Sequence, residues 1–185
     1  APFRSFLEIA AQSSGEIINF SKIANDIGSD STSVKSYFQI LEDTLTGNFL
    51  PSFHYSIRKR QRKNPKFYLF DIGVKKALEN RLQVPTVAKS FEFGIAFEHF
   101  IVNELFRLNT YLKLDWKFYY LRTKDDVEID LIIERPGLPF ALIEIKSSEK
   151  VNDFTVKSLS KISHDFDNSI SYVFSLDPDA KVIDG

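Results

Sequence analysis

The stretch VEIDLIIERPGLPFALIEIKSS, residues 127–148, decides how the rest of the chain is read. Its two apolar runs are rich in β-branched and aromatic residues, and Pro136, Gly137 and Pro139 lie between them. The pattern predicts a strand, a tight connection and a second strand. Side chains alternate faces along a strand. Ile129, Leu131 and Ile133 are therefore expected on one face, with Glu128 and Asp130 on the other. In the second strand Ala141, Ile143 and Ile145 share a face, opposite Leu142, Glu144 and Lys146. If both apolar faces enter one core, Asp130, Glu144 and Lys146 converge on the same side of the sheet.

Two carboxylates on adjacent rigid strands make an oxygen-rich site that suits Mg²⁺, which binds one or two carboxylates together with substrate phosphate and water. Lys146, two residues beyond Glu144, points into the same space, where an ammonium group can orient or help deprotonate an attacking water and offset charge on a phosphate. The D…ExK pattern, with thirteen residues between Asp130 and Glu144, resembles the motif of the restriction-endonuclease-like phosphodiesterases, the PD-(D/E)xK nucleases. The proline usual before the aspartate is replaced by Ile129. A solvated sheet face can carry the same Glu/Lys pair, so the surrounding elements have to decide.

Composition narrows the classes. The chain has 185 residues, enough for one large domain or two small ones, and is 43% hydrophobic and 26% charged, as ordinary soluble globular proteins are. No apolar run approaches membrane-spanning length and APFRSFLEIA is not a signal peptide, so a cytoplasmic location without membrane contact is expected. The absence of cysteine excludes disulfides and thiolate zinc sites, and His54, His99 and His164 are too few to favour a histidine-built metal site. A net charge of −1 argues against a uniformly DNA-coating surface and leaves nucleic-acid contact to local patches. With no methionine and Ala at position 1, the chain reads as a piece of something longer.

The N-terminal third reads as three helices. Phe3, Phe6, Leu7 and Ala10 share a helical face in 3–13, and Phe20, Ile23, Ala24 and Ile27 do so in 19–27, which Gly28 closes. A third helix over 31–45, capped by Asp30 or Ser31, carries the stripe Val34, Phe38, Leu41 and Leu45. This is the helix-turn-helix layout. Residues 49–57 and 66–70 read as strands of a following hairpin, the wing of a winged helix. Its tip carries Arg58, Lys59, Arg60, Arg62 and Lys63, a basic run able to neutralise phosphates without reading sequence. The third helix offers Lys35 but also Glu42 and Asp43, so the wing is the better nucleic-acid contact.

The domain organisation expected is a winged helix-turn-helix over 1–82, a linker over 83–92 containing Pro85, and a second domain over 93–185. Residues 93–108 form an amphipathic helix with Phe93, Phe97, Phe100, Ile101, Leu105 and Leu108 on its apolar arc. Glu98 lies at the edge of that arc and Glu104 within it. Strands follow at 115–122 and in the central hairpin, then a helix at 153–166 and a closing strand at 169–176. The fold class is α+β, and the order αβββαβ is that of the restriction-endonuclease-like fold, with a central mixed sheet.

The segments LPSFHYSIRKRQRKNPKFYLFDIGVKKAL, GIAFEHFIVNELF, YLRTKDDVEIDLIIERPG and IEIKSS together resemble the C-terminal half of a large family of bacterial and archaeal AAA-type ATPases, over almost all of the chain. In that family a winged helix precedes a nuclease-like domain of unknown function. The resemblance implies that Glu98 is the helix acid, Asp130 the strand acid, and Glu144 and Lys146 the ExK pair. All four positions hold chemically competent residues. It also implies Mg²⁺ or Mn²⁺ held by Asp130, Glu144 and Glu98, with Lys146 activating water and stabilising phosphate. No GxxxxGK[ST] occurs, so no P-loop ATP site is expected in this chain.

Two functions follow as expectations. The first is a metal-dependent nuclease domain coupled to a winged helix that binds nucleic acid, DNA before RNA, within an ATPase-family protein. The alternative is a non-catalytic module that docks DNA or a partner protein and regulates an ATPase. Lys157, Arg122 and Lys124 are weaker phosphate-contact candidates, and Glu104 is expected to be structural, paired with a cation or a helix terminus.

Overall fold

Three short polar residues set where the first helices begin. In the computed structural model, which describes residues 2–55, 63–123 and 127–182, Asn19 Oδ1 accepts from Lys22 N, Asp30 Oδ1 from Thr32 N and Ser33 N, and Asp71 Oδ1 from Val74 N. The elements are α1 (Pro2–Gln12), α2 (Phe20–Ile27), α3 (Ser31–Asp43), β1 (Gly47–Leu50), β2 (Lys66–Leu69) and α4 (Ile72–Leu78). They continue as α5 (Phe91–Leu112), β3 (Lys117–Arg122), β4 (Glu128–Glu134), β5 (Phe140–Ile145), α6 (Asp153–Ser163) and β6 (Ser169–Phe174). The chain divides into two units. One comprises Ala1–Pro51 and Ser56–Pro85, the other Ser52–Tyr55 and Thr86–Gly185. Among the described residues no helix is long and apolar enough to cross a membrane.

In the first unit α1, α2 and α3 pack around Phe6, Val34, Phe38 and Phe67. Edge-to-face ring pairs, Phe6–Phe38 at 4.9 Å and Phe38–Phe67 at 5.0 Å, join helices and ribbon in one core. β1 and β2 pair antiparallel from Gly47↔Leu69 to Leu50↔Lys66, and Ile17 bridges Lys66 to bring the α1–α2 connection against the ribbon. The ribbon is shorter than the sequence pattern suggests. α3 also stops at Asp43, and Leu45, expected on its buried stripe, has φ 58° and is 81% exposed. The basic-tip residues Arg58, Lys59, Arg60 and Arg62 lie outside the described residues, as does Lys124.

The second unit is built on the four-stranded sheet β3-β4-β5-β6. The first three strands are antiparallel neighbours. β6 returns through α6 to lie parallel to β5, from Phe140↔Ser169 to Ile145↔Phe174, which makes the sheet mixed. Leu159, Ile162 and Phe166 pack with Ile129, Ile132 and Leu142. Into this core the chain inserts a short segment from far upstream. Phe53 N donates to Tyr120 O, Ser52 bridges Tyr120 in parallel sense, and the Phe53 ring meets Tyr119, Phe140 and Phe166. Residues 52–55, expected as part of the hairpin strand 49–57, are thus a component of the second unit.

α5 is longer than expected at both ends. Ser90 Oγ caps it by accepting from Phe93 N, and Asn109 holds the chain after it through both Trp116 N and Trp116 O. The expected apolar arc is not its buried strip. His99, Val102 and Asn103 are buried while Phe100 and Leu108 are exposed. Apolar residues occur all round this helix, so their spacing alone cannot select a face. Similarly on α6, Phe154 is exposed, and Thr155 is buried.

Candidate active site

The β4–β5 ladder pairs Ile133 with Ala141, Ile132 with Leu142 and Leu131 with Ile143. Continued by one step, that register sets Asp130 across from Glu144. There the backbone ladder gives way to a side chain, for Ile145 N–H donates to Asp130 Oδ2 at 2.7 Å. The cause lies on the other side of β4. Tyr119 pairs with Ile132 but Leu121 with Ile129, so Asp130 and Leu131 together oppose the single residue Tyr120. This is a β-bulge, which bends the strand and re-aims its side chains. Strict alternation, expected from the sequence, therefore fails here. Ile129 and Ile132, three residues apart, enter the same core.

Glu144 near the end of β5 and Lys146 just beyond it meet directly, Lys146 Nζ lying 2.5 Å from Glu144 Oε1. The Glu144 side chain is mostly buried and that of Lys146 is 42% exposed. Lys146 N–H donates to Phe174 O at 2.8 Å, which extends the β5–β6 pairing and fixes the backbone under the ion pair. Glu98, half-buried on α5, acts on both Asp130 and Lys146 through its charge. One turn before it, a Cβ on Gly94 would lie 3.4 Å from Ser147 Oγ, so the first turns of α5 run close to the end of β5. Ser147 was not a sequence candidate. Gly94, a glycine inside a strong helical pattern, is a signal from which such an approach could have been read.

Electrostatics ties these groups together. Burial, then the charges of Glu98 and Glu144, push the Asp130 carboxyl from an ordinary 3.8 up to about 7, against the Ile145 hydrogen bond and the Lys146 charge. For Lys146, burial works to lower the pKa, but the hydrogen bond and charge of Glu144, with Asp130 and Glu98, outweigh it and raise it. Among the described residues no three His, Cys, Asp or Glu side chains are grouped as a metal ion would need, so the expected set of Asp130, Glu144 and Glu98 is near in charge yet not gathered.

The remaining candidates are spread out. Glu104 pairs with Arg107 one turn along α5. Arg122 and Lys157 are exposed. On α3, Lys35 Nζ sits 5.4 Å above the Phe20 ring, and Gln39 Nε2 donates to both Glu42 and Asp43 at the helix end. Lys63 is exposed at the margin of the described residues.

Known proteins bear on this geometry as follows. Residues 1–85 match a domain of unknown function, DUF8612, and residues 93–182 match a second domain of unknown function, DUF4143. An uncharacterized protein of Mycobacterium tuberculosis (strain ATCC 25618 / H37Rv) is 30% identical over 149 residues, covering 79% of this chain and 32% of that protein. An uncharacterized protein of Mycobacterium bovis (strain ATCC BAA-935 / AF2122/97) is 30% identical over 149 residues, with the same coverage of 79% and 32%. The chain thus spans about a third of the length of the curated relatives it matches. No solved structure matches it.

Proposed function

We propose that the second unit is a divalent-metal-dependent phosphodiesterase of the PD-(D/E)xK kind, acting on nucleic acid that the first unit helps to hold. The observation that carries this reading is the placing of Asp130 across from Glu144, with Lys146 Nζ on the Glu144 carboxylate, where the β4–β5 ladder ends. The order α5-β3-β4-β5-α6-β6 with a mixed sheet supports the restriction-endonuclease-like fold. Helices α1–α3 followed by the β1–β2 ribbon, with the Ile17–Lys66 bridge between them, support a winged helix. The domain type matched by residues 93–182 is usual in proteins associated with AAA-type ATPases, which favours work beside an ATPase module.

The donor set fits a hard cation. It is all carboxylate oxygen, although among the described residues the three acids are not gathered as an ion would need. Glu98, Asp130 and Glu144 would hold Mg²⁺ or Mn²⁺. Bound there, the ion would supply Lewis-acid polarisation of a phosphodiester. The protein's own groups do the rest. Ile145 N–H fixes the Asp130 carboxyl in one orientation. Lys146, beside Glu144, would be a cation for a phosphate oxygen and a partner for the attacking water.

The test is incubation of the full chain with single- and double-stranded DNA and RNA in Mg²⁺, Mn²⁺ or EDTA. Cleavage should need the metal and fall about a hundredfold or more in Asp130→Asn. Absence of cleavage of every substrate, together with absence of Mn²⁺ binding by calorimetry, would overturn the reading in favour of a docking module.

A further inference from the structure

We propose that the outer edge of β6 pairs antiparallel with the same edge of a second copy of this chain, joining two four-stranded sheets into one of eight strands. Among the described residues β6 is the last strand in the order β3-β4-β5-β6, and β5 is the strand beside it. Phe140 N donates to Asn168 O at one end of that pairing, and Lys146 N to Phe174 O at the other. The parallel register between them turns the backbone groups of Ile170, Tyr172 and Phe174 toward β5. The N–H and C=O groups of Ser169, Ser171 and Val173 therefore point outward, and a row of such groups is a template for another strand.

The two edges of the sheet are protected differently. β3 begins at Lys117 and ends at Arg122, and its Tyr120 carbonyl already accepts from Phe53 N–H. Cations and a covering segment are common ways of blunting an edge. Among the described residues β6 has neither. From 168 to 176 the chain reads NSISYVFSL, with no Asp, Glu, Lys or Arg and no proline or glycine. Ser171 is exposed, and Ile170 is 44% exposed.

The occupant follows from the symmetry of the outward groups. Ser169 and Val173 lie evenly to either side of Ser171. A two-fold axis at Ser171 sets Ser169 against the partner's Val173 and Ser171 against its own copy, and each opposed pair exchanges two backbone hydrogen bonds. The same register sets Ile170 against the partner's Tyr172 in the closer, non-hydrogen-bonded pairs, an aliphatic–aromatic contact that favours antiparallel strands. A slip of one residue would oppose outward groups to groups already bonded to β5, so the register is specified. With no charge on the strand, nothing on it repels its own copy. A contact of this isologous kind closes at two subunits.

The experiment is sedimentation velocity of the full chain across a broad concentration range, comparing wild type, Ser171→Lys and Ser171→Pro. Wild type should pass from one copy to two as concentration rises. Ser171→Lys sets two ammonium groups opposite each other on the axis and should weaken the dimer at least about fivefold. Ser171→Pro removes an outward N–H from each copy while leaving the bonds to β5 in place, and should weaken it at least about tenfold. Amide exchange on wild type alone serves should the variants not fold. The amides of Ser169, Ser171 and Val173 should slow as concentration rises, while those of Ile170, Tyr172 and Phe174 stay protected throughout. A dimer that both folded variants preserve, or one in which those three amides do not slow, would overturn the pairing. A wild type monomeric at every concentration would also overturn it, and would leave the edge to an extended segment of a different protein.

Discussion

Ile145 N–H donates to Asp130 Oδ2 at 2.7 Å across the β4–β5 pair, where the backbone ladder would otherwise have continued. One carboxyl oxygen thus replaces a strand's carbonyl. That substitution holds an acid against the sheet while only 9% of the residue reaches solvent. It also explains how so buried an acid is tolerated, since a hydrogen-bonded polar group costs far less to bury than an unpaired one.

Stability should fall as pH rises through the range set by Asp130. Its carboxyl sheds a proton near 3.8 in the unfolded chain but is pushed up to about 7 in the fold, by burial first and then by Glu98 and Glu144. Between those values the folded state binds more protons, so its stability declines with pH and levels off above the upper one. Asp130→Asn keeps an oxygen for Ile145 N–H and removes the charge. In EDTA at about pH 8 it should be more stable than wild type by on the order of 1–4 kcal/mol, with the gap closing toward about pH 4. Urea unfolding at several pH values measures this. A variant less stable than wild type at the alkaline end would show that no buried charge is being relieved.

Phe53→Ala should damage the second unit. The ring is 4% exposed and lies 5.2 Å from the ring of Phe166 and 5.6 Å from that of Tyr119. Removing it should cost about 3–5 kcal/mol. Amide exchange should rise in β3 through β6, and protection unchanged there would show that residues 52–55 are dispensable to that core.

Gly47 and Gly28 should respond differently to alanine. A Cβ at Gly47 would collide with the Phe67 ring and lie 2.8 Å from Tyr68 O, so Gly47→Ala should destabilise by about 1–3 kcal/mol or more through overpacking. Gly28, at φ 63°, has open space around it, and alanine there should cost only the backbone strain of about 1–2 kcal/mol. Thermal unfolding of the two variants separates crowding from strain.

Nucleic-acid affinity should depend on salt through the basic run. Replacing Arg58, Lys59, Arg60, Arg62 and Lys63 by serine should flatten the plot of log affinity against log salt for duplex DNA by up to roughly 4. Fluorescence anisotropy at several salt concentrations measures the slope. An unchanged slope would place phosphate contact elsewhere.

The two central strands were legible because β-branched runs flank Pro136, Gly137 and Pro139, and the start of α3 because Asp30 caps it. The bulge at Asp130–Leu131 was not. Period-two reading assumes an unbroken ladder, and nothing in EIDLII marks the extra residue. The buried strip of α5 escaped for a different reason. Apolar side chains surround that helix, and the inward positions include His99 and Asn103. Glu98 was identified by resemblance, and its charge acting on Asp130 and Lys146 is what the fold adds. The ion pair between Glu144 and Lys146 follows from their spacing, but its hold on the carboxylate needed coordinates.

The segment Ser52–Tyr55 makes the second unit discontinuous along the chain. Heredity has to respect that. A gene fragment beginning at residue 86 would encode the whole sheet but leave the seat of Phe53 empty, so recombination between the two matched regions, 1–85 and 93–182, would part a protein from its own wedge. Lineages in which the two regions travel together are the expected outcome, whatever chemistry the acids perform.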